Sequence, residues 1–185
     1  MRERQQRSVY RMTLVKSWNM DEVEGYCELI ELGAPDFIEI KAVTYCGKSD
    51  ASKLTMENVP WHREVCAYGE SVAARLRTRG IAPPYSIATE HEHSCCILLA
   101  REDRFKVYGC WHTWIDYDKF HSHIQRYYET KGTPEQHAFT SLDYMAPTPP
   151  WAVYQVLLSS LFHWQTAQPA PLLRASYPDS NPDYQ

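Results

Sequence analysis

Apolar residues alternate most cleanly between Phe37 and Tyr45, the best strand pattern in the chain. Ile38, Ile40, Ala42 and Thr44 share one face; Phe37, Glu39, Lys41, Val43 and Tyr45 share the other. A shorter β-rich run covers Val9 to Val15. Between the two, Val23, Tyr26, Cys27 and Ile30 recur at helical spacing, with Asn19 read as the N-cap, Glu22 as its capping-box partner, and Gly33 and Pro35 as the stop. Strand, helix and strand in this order make a βαβ unit, whose crossover joins parallel strands. A polar loop from Lys48 to Glu57 follows. Asn58-Val-Pro-Trp-His62 then opens a second helix, with Pro60 in its first turn and Val65, Tyr68, Val72 and Leu76 as the buried stripe. Gly80 and Pro83-Pro84 end it.

The texture then becomes shorter in period. Tyr85–Glu90 and Cys95–Ala100 read as strands. A tight link over Arg101–Arg104 leads to a hairpin turning at Tyr108-Gly109, between Phe105–Val107 and Cys110–Ile115. Asp116 or Asp118 caps a further helix that turns Phe120, Ile124 and Tyr127 inward and ends at Gly132. Seven of the twelve prolines lie at or after Pro147, so Tyr144–Trp151 must run extended over a surface. The stretch from Pro169 to Gln185 reads as disordered.

Composition narrows the class without naming an activity. A chain of 185 residues holds one sizeable domain. The formal charge of -4 argues against a basic nucleic-acid-binding module as a whole. Arg2, Arg4, Arg7, Arg11 and Lys16 nevertheless crowd the start, and residues 1–8 read as a disordered basic arm, solvated or in contact with phosphate. Six cysteines without a Cys-x-x-Cys pair exclude a zinc ribbon, and free thiols suit a reducing compartment, the cytoplasm. No apolar run approaches the roughly 20 residues that cross a bilayer, so no membrane partner is expected. Neither a Walker loop nor a dinucleotide fingerprint occurs.

Candidate chemistry concentrates in Glu90-His-Glu-His-Ser-Cys-Cys96. Strict alternation would put His91, His93 and Cys95 on one strand face, about 7 Å between alternate Cα atoms. Consecutive strand positions strain a tetrahedral ion, however, and no metal ligands are assigned. Glu90 or His91 suits acid–base chemistry, since an imidazole titrates near neutrality and a carboxylate can orient it. The alternative is that these groups satisfy one another at the end of a sheet. Lys41, Thr44 and Cys46 stand at the carboxyl end of a parallel strand, where α/β proteins place their sites; the rival for Lys41 is a side chain that snorkels to the sheet edge. Trp61, Trp111, Trp114 and Trp151 read as core anchors, with base stacking as the alternative.

Five motifs in order give the chain a family resemblance: Phe37-Ile-Glu-Ile-Lys-Ala-Val-Thr-Tyr-Cys-Gly47, Leu54-Thr-Met-Glu-Asn-Val-Pro-Trp-His62, Glu90-His-Glu-His-Ser94, Trp111-His-Thr-Trp-Ile-Asp116 and Asp143-Tyr-Met-Ala-Pro147. Over residues 7–151 the sequence resembles the carboxyl-terminal part of eukaryotic-type tRNA 4-demethylwyosine synthase, a radical-SAM enzyme of wybutosine biosynthesis. The resemblance implies a lyase that joins N1-methylguanosine of phenylalanine tRNA, beside the anticodon, to pyruvate, using S-adenosylmethionine and a [4Fe–4S] cluster. It implies an α/β fold: the carboxyl-terminal part of a partial radical-SAM (βα) barrel over residues 9–84, then a family-specific antiparallel strand and helix extension over 85–151, and a divergent, disordered tail over 152–185. The family's Cys-x-x-x-Cys-x-x-Cys motif is absent, so the cluster and the amino-terminal half of the barrel are expected elsewhere, and the chain is expected to be inactive alone. A tRNA-binding module without chemistry and an inactive truncated gene product are the alternatives. On this resemblance Lys41, Glu90 and His91 are the catalytic candidates, and Thr44, Cys46, Asn58, His62, His93 and Ser94 the substrate-binding ones.

Overall fold

A computed structural model describes residues 6–48, 50–82, 84–130 and 138–154, all within one compact unit, Met1–Gln155. Strand β1 (Val9–Leu14), helix α1 (Val23–Gly33) and strand β2 (Phe37–Ala42) form the expected parallel unit, with Val9 beside Phe37 and Leu14 beside Ala42. Helix α2 (His62–Thr78) follows, then strands β3 (Tyr85–His91) and β4 (Cys96–Arg101). Strand β4 runs antiparallel to both β2 and β3, so one sheet has the order β1-β2-β4-β3. The parallel pair and the antiparallel hairpin thus share one continuous sheet.

Alternation sorts the sheet into two faces. Met12, Leu14, Ile38, Ile40, Ala42, Ile97 and Leu99 meet α1 and α2 in the main core. Helix α2 contributes Val65, Tyr68, Val72 and Leu76, the stripe its sequence prescribes. Each such side chain, when fully buried, stabilises by about 1.5–3 kcal/mol. Gly69 lies over β4, and a Cβ there would collide with Cδ1 of Ile97. The opposite face carries a smaller cluster of Phe37, Ala88, Ala100 and Phe105.

The remaining elements cover this second face. Glu102–Phe105 is a short helix, α3, in place of the expected tight link. Strands β5 (Lys106–Val107) and β6 (Cys110–Trp111) make the hairpin, with Tyr108 and Gly109 both at positive φ. The hairpin's second strand stops early, because β7 (Trp114–Ile115) pairs instead with β8 (Met145–Ala146). Helix α4 (Tyr117–Glu129) is capped by Asp116, whose carboxylate accepts from the Lys119 amide at 3.0 Å. Phe120 and Ile124 are half-buried and Tyr127 is exposed; with Phe139 and Tyr144 they line an open groove rather than a sealed core. Gly132, the expected stop of this helix, lies outside the described residues.

Several sequence expectations change. Asn19 does not cap α1: its Oδ1 accepts from the Val15 amide at 2.8 Å and its Nδ2 donates to the Thr13 carbonyl at 2.9 Å. A short amide beside a strand end satisfies those backbone groups locally, and Glu22 becomes the residue that precedes the helix. At the other end Ala34, not Gly33, takes the left-handed conformation. Gly33 is required by contact, since a Cβ there would overlap the Tyr10 phenol. Pro60 falls one residue before Trp61, the N-cap of α2, where Glu64 accepts from the Trp61 amide at 2.6 Å.

Both ends of the described chain are fastened, against the expectation of disorder. Arg7 donates to the carbonyls of Thr113 and Trp114 at 2.6 and 2.8 Å and lies over the rings of Phe37, Phe105 and Tyr144. Such cation–aromatic packing adds about 0.5–2 kcal/mol per contact. Ser8 binds the carboxylate of Asp36 through its amide. Ala152 is buried, Val153 bridges to Thr89, and the Tyr154 hydroxyl donates to Glu70 at 2.6 Å. Residues 1–5 and 155–185, with the Pro169–Gln185 expectation, lie outside the described residues.

Candidate functional site

The face of the sheet away from α1 and α2 presents a polar row. Parallel register sets Arg11 beside Glu39 and Thr13 beside Lys41; antiparallel register sets Lys41 beside Cys96. Arg11 Nε stands 3.7 Å from Glu39 Oε1, toward which the Cys96 thiol also points at 3.7 Å. Burial, and then the Glu39 carboxylate, push that thiol up to about 11. Lys41 donates to Thr44 Oγ1 at 3.0 Å, just past the end of β2. This contact holds the ammonium at the strand's carboxyl end, beside the Thr44 that sequence reasoning groups with it. Cys46, exposed, directs its thiol to the Thr44 carbonyl at 3.8 Å.

A cavity of about 490 Å³ opens on the same face. Val9, Phe37, Leu98, Trp114 and Trp151 make its wall largely apolar, and Glu39, Glu90 and His91 are titratable groups at its edge. Concave, mostly apolar sites with a few convergent polar groups are the usual form of small-molecule pockets. Trp114 and Trp151 meet edge to face with centroids 5.9 Å apart. The tryptophans are less buried than core anchors: Trp61 is 67% and Trp151 68% exposed. Trp111 alone of the four packs against the inner cluster.

A bulge in β3 decides where the dense polar segment points. Ile87 pairs with Leu99, but Thr89 pairs with Leu98, so Ala88 is the extra residue. The shift puts Glu90 opposite Ile97, a residue of the helix-side core, and His91 opposite Cys96. Neighbouring residues therefore serve opposite faces. Beyond them Glu92–Ser94 is a 3-10 turn, and Cys95 has φ 46. Strict alternation of His91, His93 and Cys95 does not occur. His91 Nδ1 is 2.7 Å from Ser94 Oγ, and the His91 and His93 rings are 6.4 Å apart.

On the helix side, Glu90 Oε2 stands 3.0 Å from Nε2 of His62, the first residue of α2. Cys66, one turn later, puts Sγ 3.4 Å from the same nitrogen. Burial first, then the Glu90 carboxylate, raise the Cys66 thiol to about 11. His62 and Glu90 are both candidates by sequence. Cys66 is not among them, although His62-x-x-x-Cys66 has the i, i+4 spacing of one helix face. Asn58 serves the backbone instead of a substrate. Its Oδ1 accepts from Thr55 N at 2.9 Å, and its Nδ2 donates to the Lys16 carbonyl at 3.2 Å. The structure therefore joins Lys41 with Thr44, His91 with Ser94, and His62 with Glu90, but does not gather all the candidates at one point.

Residues 32–101 match the family model for wyosine base formation. The chain is 56% identical over 154 residues to an S-adenosyl-L-methionine-dependent tRNA 4-demethylwyosine synthase of Oryza sativa subsp. japonica, covering 83% of this chain and 21% of that protein. It is 57% identical over 152 residues to the corresponding synthase, TYW1, of Danio rerio (82% and 20% covered), and 50% identical over 151 residues to TYW1 of Homo sapiens (82% and 19%). The chain thus spans about one fifth of the length of these relatives. Among solved structures, TYW1 with a lysine–pyruvate adduct bound aligns with a TM-score of 0.43 at 24% identity, covering 53% of this chain and 28% of that one. An archaeal TYW1 aligns with a TM-score of 0.36 over the same shares.

Proposed function

For a chain that carries the wyosine base formation segment of the tRNA 4-demethylwyosine synthase family, we propose a part in forming the third ring of wybutosine on tRNA. The reaction is the condensation of N1-methylguanosine in phenylalanine tRNA with pyruvate, in the cytoplasm. The observation that carries this reading is identity of 50–57% over more than four fifths of the chain with synthases of plants and vertebrates. The parallel β1–α1–β2 unit, with both large helices on one side of the sheet, supports the finer reading of a partial (βα) barrel. In such a barrel the face bearing Glu39 and Lys41 turns inward.

The cysteines of the described residues do not suit an iron–sulfur cluster. Cys27 is wholly buried in the main core, and the six cysteines lack the Cys-x-x-x-Cys-x-x-Cys spacing of this family's cluster. S-adenosylmethionine and its cluster, which supply the radical in this family, are therefore assigned to regions outside the matched fifth. This chain contributes binding and orientation. Lys41, held by Thr44, offers an ammonium to a carboxylate of pyruvate. Glu90 and His91 at the cavity edge exchange protons with the substrate; Ser94 fixes the His91 ring, His62 holds Glu90 from the helix side, and His93 and Cys46 belong to the surrounding shell. Trp114 and Trp151 offer aromatic surface to a nucleobase.

The test is a chimaera of the rice enzyme in which residues 7–151 of this chain replace the matching stretch, expressed in cells lacking the synthase. Mass spectrometry of phenylalanine tRNA should detect the tricyclic base, and Lys41→Ala in the chimaera should lower it at least about tenfold, the scale of one lost charged contact in a transition state. A folded chimaera that makes no product would sink the reading.

A further inference from the structure

Three potential metal ligands converge on the helix side of the sheet. One ligand atom each from His62, Cys66 and Glu90 lies within 4.8 Å of the other two, and they are the sole group of this kind among the described residues. Two of the edges are measured directly: 3.0 Å from nitrogen to carboxylate oxygen and 3.4 Å from nitrogen to sulfur. Ligands at the usual zinc distances, about 2.0 Å for nitrogen and oxygen and 2.3 Å for sulfur, stand roughly 3.3–3.6 Å apart around a tetrahedral ion. The triad is already close to those edges.

Its connectivity excludes the more familiar use of these residue types. A nucleophile relay needs the thiol on one ring nitrogen and the carboxylate on the other. Here both approach Nε2, while Nδ1 is buried without a partner among the described residues. One ring nitrogen offers either a single hydrogen or a single lone pair, so it cannot serve both groups well. A cation placed between the three atoms satisfies all of them. His62 and Cys66 share one face of α2, and the bulge at Ala88 brings Glu90 to the same side, so two rigid elements fix the set. The His62 and Glu90 side chains are 15% and 24% exposed, shielded but reachable.

We propose that His62, Cys66 and Glu90 bind one divalent transition-metal ion of the zinc class, with the fourth position open to water. A nitrogen, a thiolate and a carboxylate favour zinc or cobalt over magnesium or calcium, which take oxygen ligands. The site shares Glu90 with the proposed wyosine chemistry, whose Lys41, Thr44 and His91 lie on the opposite face, but cobalt binding does not rest on that reading.

Cobalt(II) titration of the purified full chain under reducing conditions tests the site. The expected result is a thiolate-to-cobalt charge-transfer band that saturates at one equivalent and is bleached by zinc. Cys66→Ser should abolish the band. Glu90→Gln, which preserves shape and a hydrogen bond, should weaken cobalt binding by at least about tenfold, as loss of a ligand costs no less than the 10–100-fold of outer-shell changes. Zinc should raise the melting temperature of the wild-type chain and not that of Glu90→Gln. Absence of a saturable band overturns the proposal. So does a band that persists in Cys66→Ser and disappears on replacing the exposed Cys46 and Cys110.

Discussion

Replacing Asp36 with alanine should destabilise the fold more than any change at the proposed site. Its carboxylate is 1% exposed. Oδ1 accepts from Arg104 Nη1 at 2.6 Å, and Oδ2 accepts from the amide of Ser8 at 3.0 Å and from its hydroxyl at 3.3 Å. Arg104 also donates to the buried Ser141 hydroxyl at 3.0 Å. One side chain therefore ties the approach to β1, the loop before β2, helix α3 and the segment that returns through Ser141. Removing one partner of a buried pair costs about 3–5 kcal/mol, chiefly because the other charge stays buried. The Arg104 side chain is 20% exposed and keeps its bond to Ser141, so the lower end, about 3 kcal/mol, applies. For a chain of this size that lowers the melting temperature by about 6–12 °C. Urea unfolding should show a lower midpoint with an unchanged slope. Asp36→Asn, which keeps an acceptor for Ser8, should fall between, and adding Arg104→Met to Asp36→Ala should recover stability by removing the stranded charge. A loss below about 1 kcal/mol in Asp36→Ala, within the range of ordinary surface changes, would refute the reasoning. So would a double variant no more stable than the single one.

Further outcomes follow from packing and from thiol environments. Gly69→Ala should destabilise by about 1 kcal/mol, read from urea midpoints: overpacking against Ile97 costs about 1–3 kcal/mol, and the gain in helix propensity offsets up to about 1. Ile97→Val in the same chain should restore part of that loss. Iodoacetamide mapped by mass spectrometry should label the exposed Cys46 and Cys110 well before Cys66 and Cys96. The last two thiols titrate near 11 in the fold against 9.0 ordinarily, so the unfolded chain releases their protons first as pH rises. Their contribution is complete below pH 9.0 and is lost toward pH 11, and the urea midpoint should fall across that window.

Much of the sheet is legible in the sequence because each strand keeps its own parity. Alternation from Phe37 to Ala42 assigns Ile38 and Ile40 to the helices and Glu39 and Lys41 to the other face, as observed. The spacing of Val65, Tyr68, Val72 and Leu76 does the same for α2. Pairings between very short strands are not legible: β7 and β8 each hold two residues, too few for a period, and lie on either side of α4. Arg7 also defeats composition. A basic residue near a terminus reads as solvated, yet three aromatic rings and two carbonyls surround it, and burial pulls its guanidinium below its ordinary range. Gly33 reads as a helix stop, and only the contact with Tyr10 explains why it must lack a side chain.

The bulge at Ala88 is the least legible feature and the one with most consequence for chemistry. No glycine or proline marks it, and alternation through Tyr85–His91 gives no hint that one residue is extra. Without it, Glu90 would keep the parity of Ala88 and face the cavity side. With it, Glu90 reaches His62, 28 residues earlier, across the helix-side rim, while His91 stays paired with Cys96 beside the polar row. Seven polar side chains in a row therefore do not form one site. They divide into a cavity-edge pair, His91 with Ser94, and Glu90, which reaches from the cavity edge to His62 on the helix side. The two can be separated by experiment: Cys66→Ser should remove metal binding without touching Lys41, Thr44 or His91, and Lys41→Ala should reduce the chimaera's product while leaving the cobalt band in place.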